Sequence, residues 1–166
     1  MTFTGFWYFK VGENFEYLLY LIFAGIFGGV FLGICLAPII AGVHFAFSKV
    51  FGKNSSFRNS FGITSYSFVP ILFSLAIVLP IELLTFGLYL FSANPHPFTI
   101  KPLEYSVLVG VDAFMGVWSI ALAAVGTKIS QQSNWVQAIL VVSLTVVAIG
   151  GGLLGGGFML LRLLVR

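Results

Sequence analysis

The stretch at residues 25–41 reads GIFGGVFLGICLAPIIA, and it decides the fold. Every fourth position carries a very small side chain, in a run otherwise rich in Phe, Leu and Ile. We call these positions the small-residue line: Gly25, Gly29, Gly33, Ala37 and Ala41. Residues four apart lie on one ridge of an α-helix. In lipid, small residues on one ridge let two helix backbones approach closely, and this contact drives helix association. We therefore predict a membrane helix that packs through this line against another helix of the bundle or another subunit.

The composition of the whole chain also indicates a membrane protein. Of the 166 residues, 59% are hydrophobic and 8% are charged, whereas an average soluble domain is about 25% charged. A water-soluble domain of this size cannot bury so much apolar surface, so lipid must serve as the solvent. The net charge of +3 comes from eight Lys and Arg spread over loops and ends, which argues against a nucleic-acid surface. The single cysteine, Cys35, excludes a disulfide framework and a multi-cysteine metal site.

Four segments are long and apolar enough to cross a bilayer, which takes about 20 residues each. They lie at residues 17–50, 68–91, 103–126 and 136–165. They predict an all-α, polytopic bundle of four transmembrane helices that forms a single domain, residues 17–166. Loops are expected at residues 51–65 and 92–102, and the aromatic N-terminal segment, residues 1–16, is expected to anchor at the membrane interface. The glycines at 150–157 leave two alternatives for the C-terminal tail, which either continues the fourth helix or breaks from it into an interfacial or re-entrant piece.

The orientation in the membrane is not fixed by the positive-inside count. Four basic residues fall on each face of the predicted bundle: Lys49, Lys53, Arg58 and Lys128 on one, and Lys10, Lys101, Arg162 and Arg166 on the other. A re-entrant tail would move its two arginines to the first face and break the tie. We place the loop at 51–65 in the cytoplasm.

Two carboxyl groups, Glu82 and Asp112, lie inside predicted spans at matching depth. A carboxylate in the hydrocarbon layer costs about 3 kcal/mol, so each should face a partner or a wet cavity. One hypothesis is that the two approach each other and share a proton or a cation such as Arg162, which would serve proton or ion handling. The other is structural: each carboxyl group bonds backbone freed by Pro80, or a hydroxyl such as that of Thr85. The structural hypothesis is favoured, because no third titratable group completes a relay.

No residue pattern in the chain predicts catalysis. His44 and His96 are expected on opposite sides of the membrane, so they should not share a metal or haem, and His44 is expected to be hydrogen-bonded near the inner interface. Neither a Ser-His-Asp nor a Cys-His arrangement can be assembled. Gly52 and Lys53 lack the upstream glycine and the spacing of a phosphate loop. We predict that the protein is not an enzyme and binds no cofactor and no metal.

Several short motifs follow one another in a characteristic order. A glycine-rich span closes with a histidine; residues 51–58 read FGKNSSFR; Tyr and Pro open the next span; and a later span carries Asp112, Phe114, Trp118 and Gly126 before a short polar turn. This order resembles the prokaryotic branch of the Yip family, the Ypt- and Rab-interacting integral membrane proteins. The resemblance covers residues 21–150, and its motif residues are His44, Gly52, Lys53, Ser56, Phe57, Tyr66, Pro70 and Trp118. The chain departs from the family pattern in having Gly-Lys-Asn-Ser in place of a double-glycine loop, and four predicted spans in place of five.

The resemblance implies a membrane-embedded binding or assembly role, in some members beside transporters, without established catalysis. Eukaryotic members are similar to vesicle-traffic adaptors that contact small GTPases, a role that depends on cytoplasmic segments and is not carried over here. We therefore expect a multi-pass protein of the prokaryotic cell membrane that acts as a binding or accessory subunit of a membrane complex. Its partners would be the lipid bilayer and other membrane subunits or a second copy, with no nucleic acid. The alternative is a small transporter or an ion- or proton-handling protein that uses Glu82 and Asp112.

Overall fold

A computed structural model describes residues 17–52, 55–92 and 94–164, and every regular element in these ranges is helical. The elements are α1 (Leu18–Val50), α2 (Phe57–Ser67), α3 (Val69–Phe73), a π-helical turn (Ser74–Val78), α4 (Leu79–Phe86), a 3₁₀ turn (Gly87–Phe91), α5 (Pro97–Ile100), α6 (Pro102–Gln131) and α7 (Trp135–Leu164). The described ranges contain no strand. The all-α prediction is confirmed.

Four helical stretches are long and apolar enough to cross a membrane: Leu19–Val50, Phe57–Phe91, Pro102–Gln131 and Trp135–Gly152. Large apolar side chains on these stretches point outward; Phe27, Phe31 and Leu84 are 72%, 69% and 89% exposed. Such surfaces are stable only when lipid covers them. The protein is therefore a multi-pass integral membrane protein, and the prediction of four spans is confirmed.

The second span changes its helical type in the middle because of Pro80. A proline inside a helix has no N–H to donate, and its ring clashes with the carbonyl four residues earlier. The chain relieves this conflict with a wider π-helical turn just before the proline, in which the Leu79 N–H bonds the Ser74 carbonyl five residues back. Gly87 ends α4 with a positive φ of 58°, a conformation that favours glycine.

Two helices, α2 and α6, extend beyond the spans that the hydropathy pattern predicts. Helix α2 occupies residues where we expected a loop, and α6 continues five residues past 126 to Gln131. Gln132, the residue after the end of α6, has a φ of 48°, and the Ser133 N–H bonds the Lys128 carbonyl as in a Schellman motif. Helix α7 runs through the glycines to Leu164, so the tail continues the fourth helix. The expected interfacial anchor at residues 1–16 lies outside the described residues.

The chain contains two compact units. Unit 1 comprises Met1–Leu36 and Phe68–Ser119. Its apolar core is a cluster in which the Phe86 and Tyr105 rings pack edge to face, 5.9 Å between centroids. The fully packed members of this core are Leu21, Phe86, Leu90, Phe91 and Tyr105.

Unit 2 comprises Ala37–Ser67 and Ile120–Arg166. Its buried apolar side chains are mostly small or β-branched, such as Ala41, Ile63 and Val141. The unit also holds ten of the thirteen polar side chains that are buried among the described residues: His44, Ser48, Ser55, Ser60, Thr64, Ser67, Thr127, Gln131, Ser133 and Thr145. Because unpaired polar groups are costly to bury, hydrogen bonding must contribute to holding this unit together.

Candidate functional site

Unit 1 contains the acidic pair. Glu82 lies on α4 and is only 7% exposed. Asp112, the other acidic residue, lies on α6 and is half-buried.

Asp112 has a direct partner on the second span. The Ser74 hydroxyl donates a hydrogen bond to Asp112 Oδ1. Ser74 opens the π-helical turn that Pro80 causes, so the proline controls which side chain reaches this carboxylate. The structural hypothesis expects a hydroxyl group as the partner of each carboxyl group, and for Asp112 that hydroxyl belongs to Ser74. The Thr85 hydroxyl, which was the expected example, donates instead to the Ile81 carbonyl at 2.7 Å. The other expected partner, the Arg162 side chain, lies outside the described residues.

Unit 2 contains a second polar site, which we call the polar network: His44, Ser48, Ser55, Ser60, Thr127 and Gln131. His44 Nε2 lies 2.9 Å from Thr127 Oγ1, which joins α1 to α6. Gln131 Nε2 donates to Ser48 Oγ at 2.7 Å and lies 3.4 Å from Ser55 Oγ. These bonds join residues 76–83 positions apart, so the network ties distant parts of the chain together. The expectation that His44 is hydrogen-bonded is thus met by a side chain on α6.

The hydrogen positions in the polar network follow from the bond pattern. The Thr127 hydroxyl donates its one proton to the Ala123 carbonyl at 2.7 Å, so toward His44 it can only accept. His44 therefore carries its proton on Nε2. The Ser48 hydroxyl likewise donates to the His44 carbonyl at 2.8 Å, so it accepts from Gln131, whose amide must present its nitrogen to Ser48.

This assignment leaves two acceptors of the polar network unused. His44 Nδ1 and Gln131 Oε1 are buried and have no partner among the described residues. His44 is 3% exposed and Gln131 is 7% exposed, so bulk water does not supply a donor to these two atoms. A buried acceptor without a donor costs about 1–3 kcal/mol. The protons assigned in the polar network are all donated within it, so none of them reaches these two atoms. His44 Nδ1 and Gln131 Oε1 can therefore accept hydrogen bonds from a further donor.

The small-residue line has packed ends and an open centre. Gly25 and Ala41 are buried, and Ala41 has no exposed surface. Gly29 and Ala37 are half-buried. Gly33 is exposed, and no described atom outside its own helix lies within 4 Å of the position that a Cβ would take there.

A model of the Yip1 domain matches residues 2–156, nearly the whole chain. The chain belongs to the Yip1 family. The matched range contains the small-residue line, the acidic pair and the polar network. Searches of curated proteins and of solved structures found no match to it.

The residues that carry the Yip resemblance have distinct local roles. Gly52 ends α1 with a positive φ of 69°. Ser56 accepts a hydrogen bond from the Asn59 N–H at 3.2 Å and so caps the start of α2. Phe57 packs edge to face on Phe45, 6.5 Å between centroids, which joins α2 to α1. Lys53 lies outside the described residues.

The remaining Yip motif residues differ in exposure. Pro70 is buried in the first turn of α3, where a missing N–H is harmless. Tyr66 is 78% exposed on α2, and Trp118 stacks edgewise on Phe114 of α6 at 5.7 Å. Only His44 of these motif residues belongs to the polar network. In the described residues, no three His, Cys, Asp or Glu side chains gather into a group that could hold a metal ion.

Sequence reasoning missed most of the polar network. The sequence prediction includes His44, but it places Ser48 at a helix end and Thr127 and Gln131 in a polar turn. A signal for them exists: the network side chains recur four residues apart on α1 and α6, as His44–Ser48 and Thr127–Gln131. Polar residues at this spacing share one helix face, and inside a membrane protein that face turns inward.

Proposed function

We propose that this Yip1-family chain is a non-enzymatic membrane protein that assembles with another membrane protein through the small-residue line of α1. In this role it is a binding or accessory subunit of a membrane complex, in the cell membrane of a prokaryote. The observation that carries the proposal is the open centre of the line. At Gly33 the backbone of α1 is uncovered among the described residues, so a second helix has room to approach it closely.

The physics of the bilayer supports this use of the line. Apolar side chains gain almost nothing by leaving lipid for a protein surface, so close backbone approach and van der Waals contact must drive association. The flanks of the line are bulky; Phe27, Phe31 and Ile34 are about 70% exposed. A partner helix that lies over Gly29 and Gly33 would therefore seat between ridges of large side chains, which fixes its position.

A leucine at Gly33 tests the proposal. The open space around this position accommodates the new side chain, so the variant should fold, while the added bulk should hold a partner helix away. The matched control is Gly110→Leu on α6, which also has no described atom within 4 Å of its Cβ position.

We expect wild-type protein in mild detergent to have a mass above that of the 18.1 kDa chain by light scattering, with a second copy or another membrane protein in the complex. Gly33→Leu should release that partner, and Gly110→Leu should keep it. A strictly monomeric wild type, or a complex that survives Gly33→Leu, would refute the proposal.

A second candidate function is ion or proton handling by the acidic pair. It is favoured by the burial of Glu82, which is 7% exposed inside the second span. Intramembrane carboxyl groups of this kind commonly serve transport. Ion or proton flux into liposomes should then fall to background in Glu82→Gln and Asp112→Asn, and persist in Glu104→Gln, which alters an exposed carboxyl group in the first turn of α6. Unchanged flux in the first two variants would remove this candidate.

A further inference from the structure

A shallow groove runs over the surface of unit 2 between α2 and α6, with a volume of about 400 Å³. Its polar end is formed by the exposed side chains of Arg58, Asn59 and Ser130. Further along, apolar side chains line it, including Ile63 and Leu122. The groove therefore changes from charged to apolar along its length, as a phospholipid does from headgroup to acyl chain.

The polar end of the groove lies at the level expected for lipid headgroups. Arg58 is in the first turn of α2, and Ser130 is in the last turn of α6. Close to Ser130 in the chain, Lys128 Nζ lies 4.1 Å from the centroid of the Trp135 ring. Tryptophan and lysine side chains are typical of the membrane interface, where ring and cation both meet the headgroups.

The charge distribution of the chain favours an anion in this groove. All five carboxylate residues lie in the segments of unit 1: Glu13, Glu16, Glu82, Glu104 and Asp112. The segments of unit 2 contain no Asp or Glu and six of the eight basic residues: Lys49, Lys53, Arg58, Lys128, Arg162 and Arg166. No carboxylate in unit 2 is therefore available to neutralise Arg58, and an anion there meets no repulsion from a carboxylate of this unit. The N-terminus of α2 adds its partial positive charge at the same place.

We propose that this groove binds an anionic phospholipid, with the phosphate on Arg58 and one acyl chain along Ile63, Leu122 and Ile129. The guanidinium group can donate two parallel hydrogen bonds to a phosphate, which suits this role better than a lysine would. The site is distinct from the small-residue line, so it holds whether or not the assembly function does.

Two variants separate the charged end of the groove from its apolar floor. Arg58→Gln removes the charge, and Gly62→Leu fills the groove; Gly62 has no described atom within 4 Å of its Cβ position, so the leucine is accommodated. The matched controls are Lys49→Gln, an exposed cation of the same unit, and Gly42→Leu, an equally open glycine outside the groove. Circular dichroism and gel filtration check that each variant folds.

The assay is native mass spectrometry of the purified protein with equal amounts of phosphatidylglycerol and phosphatidylcholine. We expect wild type to retain phosphatidylglycerol about fivefold over phosphatidylcholine, the preference that one basic side chain provides at an anionic surface. Arg58→Gln should abolish the preference, and Gly62→Leu should lower the retention of both lipids. Both controls should behave as wild type.

Three results would overturn the proposal. The preference could survive Arg58→Gln, which would place the anion elsewhere. Lys49→Gln could abolish it equally, which would mean a general effect of net charge. Excess inorganic phosphate could displace phosphatidylglycerol, which would make the groove a site for free phosphate and not for a lipid.

Discussion

Replacing Ser48 should destabilise the protein more than replacing the larger Gln131, although the two side chains share one hydrogen bond. Ser48→Ala removes the hydroxyl that accepts from Gln131 Nε2 at 2.7 Å. The amide N–H then points into a buried site, where Ser55 Oγ at 3.4 Å is its only remaining hydrogen-bond partner among the described residues. A buried donor that loses its partner costs about 1–3 kcal/mol, and we expect the free energy of unfolding to fall by that amount.

Gln131→Leu has two opposing effects. It removes the same hydrogen bond, worth about 0.5–1.5 kcal/mol. It also removes the buried carbonyl Oε1, which has no partner among the described residues and whose burial costs about as much. Ser48 keeps its own bond to the His44 carbonyl. The net change should therefore stay within about 1 kcal/mol, and the double variant should resemble Gln131→Leu alone.

The measurement is reversible unfolding in mixed micelles of a mild detergent and dodecyl sulfate, followed by circular dichroism. Ser106→Ala is the control, since Ser106 Oγ also donates to a carbonyl four residues back, at 2.7 Å, but at an exposed position outside the polar network. That variant should change stability by less than about 0.5 kcal/mol. If Gln131→Leu costs more than Ser48→Ala, the amide carbonyl has a donor, and the proton assignment of the polar network is wrong.

Three further outcomes are expected. In nitrogen NMR spectra of isotope-labelled histidine, His44 and His96 should both be the Nε2–H tautomer, and only the His96 Nδ1 signal should be shifted by an accepted hydrogen bond. An Nδ1–H tautomer of His44 would contradict the assigned hydrogen bonds of the polar network. Lys128→Gln should cost about 0.5–1 kcal/mol through loss of the cation–π contact with Trp135, whereas arginine there should not; equal losses in both variants would rule that contact out. Gly87→Ala should cost about 1–3 kcal/mol from backbone strain alone, because no described atom crowds the site; unfolding midpoints measure it, and an unchanged midpoint would contradict the positive φ.

The spans were predictable because lipid imposes one dominant rule on them. Every backbone group in the hydrocarbon layer must be bonded within the chain, so a long apolar run becomes a helix whatever its local propensities. That rule explains why α1 stays helical through Pro38 and why α7 stays helical through its glycines. Both features would break a helix in water.

Helix α2 was not predicted because its pattern is inverted relative to a soluble helix. Its buried residues are Ser60, Ile63, Thr64 and Ser67, whereas Phe57 and Tyr66 are exposed. A search for apolar runs interprets such a segment as a polar loop. The spacing of three and four residues between its buried positions is nevertheless helical. The helical periodicity is therefore present in the sequence, but most of the buried residues are polar, which favours the prediction of a loop.

The partner of Asp112 could not be predicted from ordinary helical spacing. A π-helical turn inserts an extra residue into its hydrogen-bonded ring, so the faces of the second span before and after Ser74–Val78 do not follow one continuous pattern. Pro80 is the visible cause in the sequence. The residue that meets Asp112, Ser74, follows only once the turn type is known.

Helix length explains why the hydrogen bonds of the polar network and the close backbone contact of the small-residue line occur in different parts of α1. At 1.5 Å per residue, the 33 residues of α1 span about 50 Å, against about 30 Å of hydrocarbon. An upright α1 would therefore extend close to 20 Å beyond the hydrocarbon, and even at a tilt of about 40° it would extend about 8 Å beyond it. Polar side chains are inexpensive to place in those headgroup layers. His44 and Ser48 fall in its last two turns, and they bond side chains in the last two turns of α6. Gly29 and Gly33 lie near the middle of α1, where hydrogen-bonding side chains are costly and close backbone contact is the available attraction. Hydropathy detects only the hydrocarbon layer and not the headgroup layers. For that reason it finds the spans and misplaces their ends.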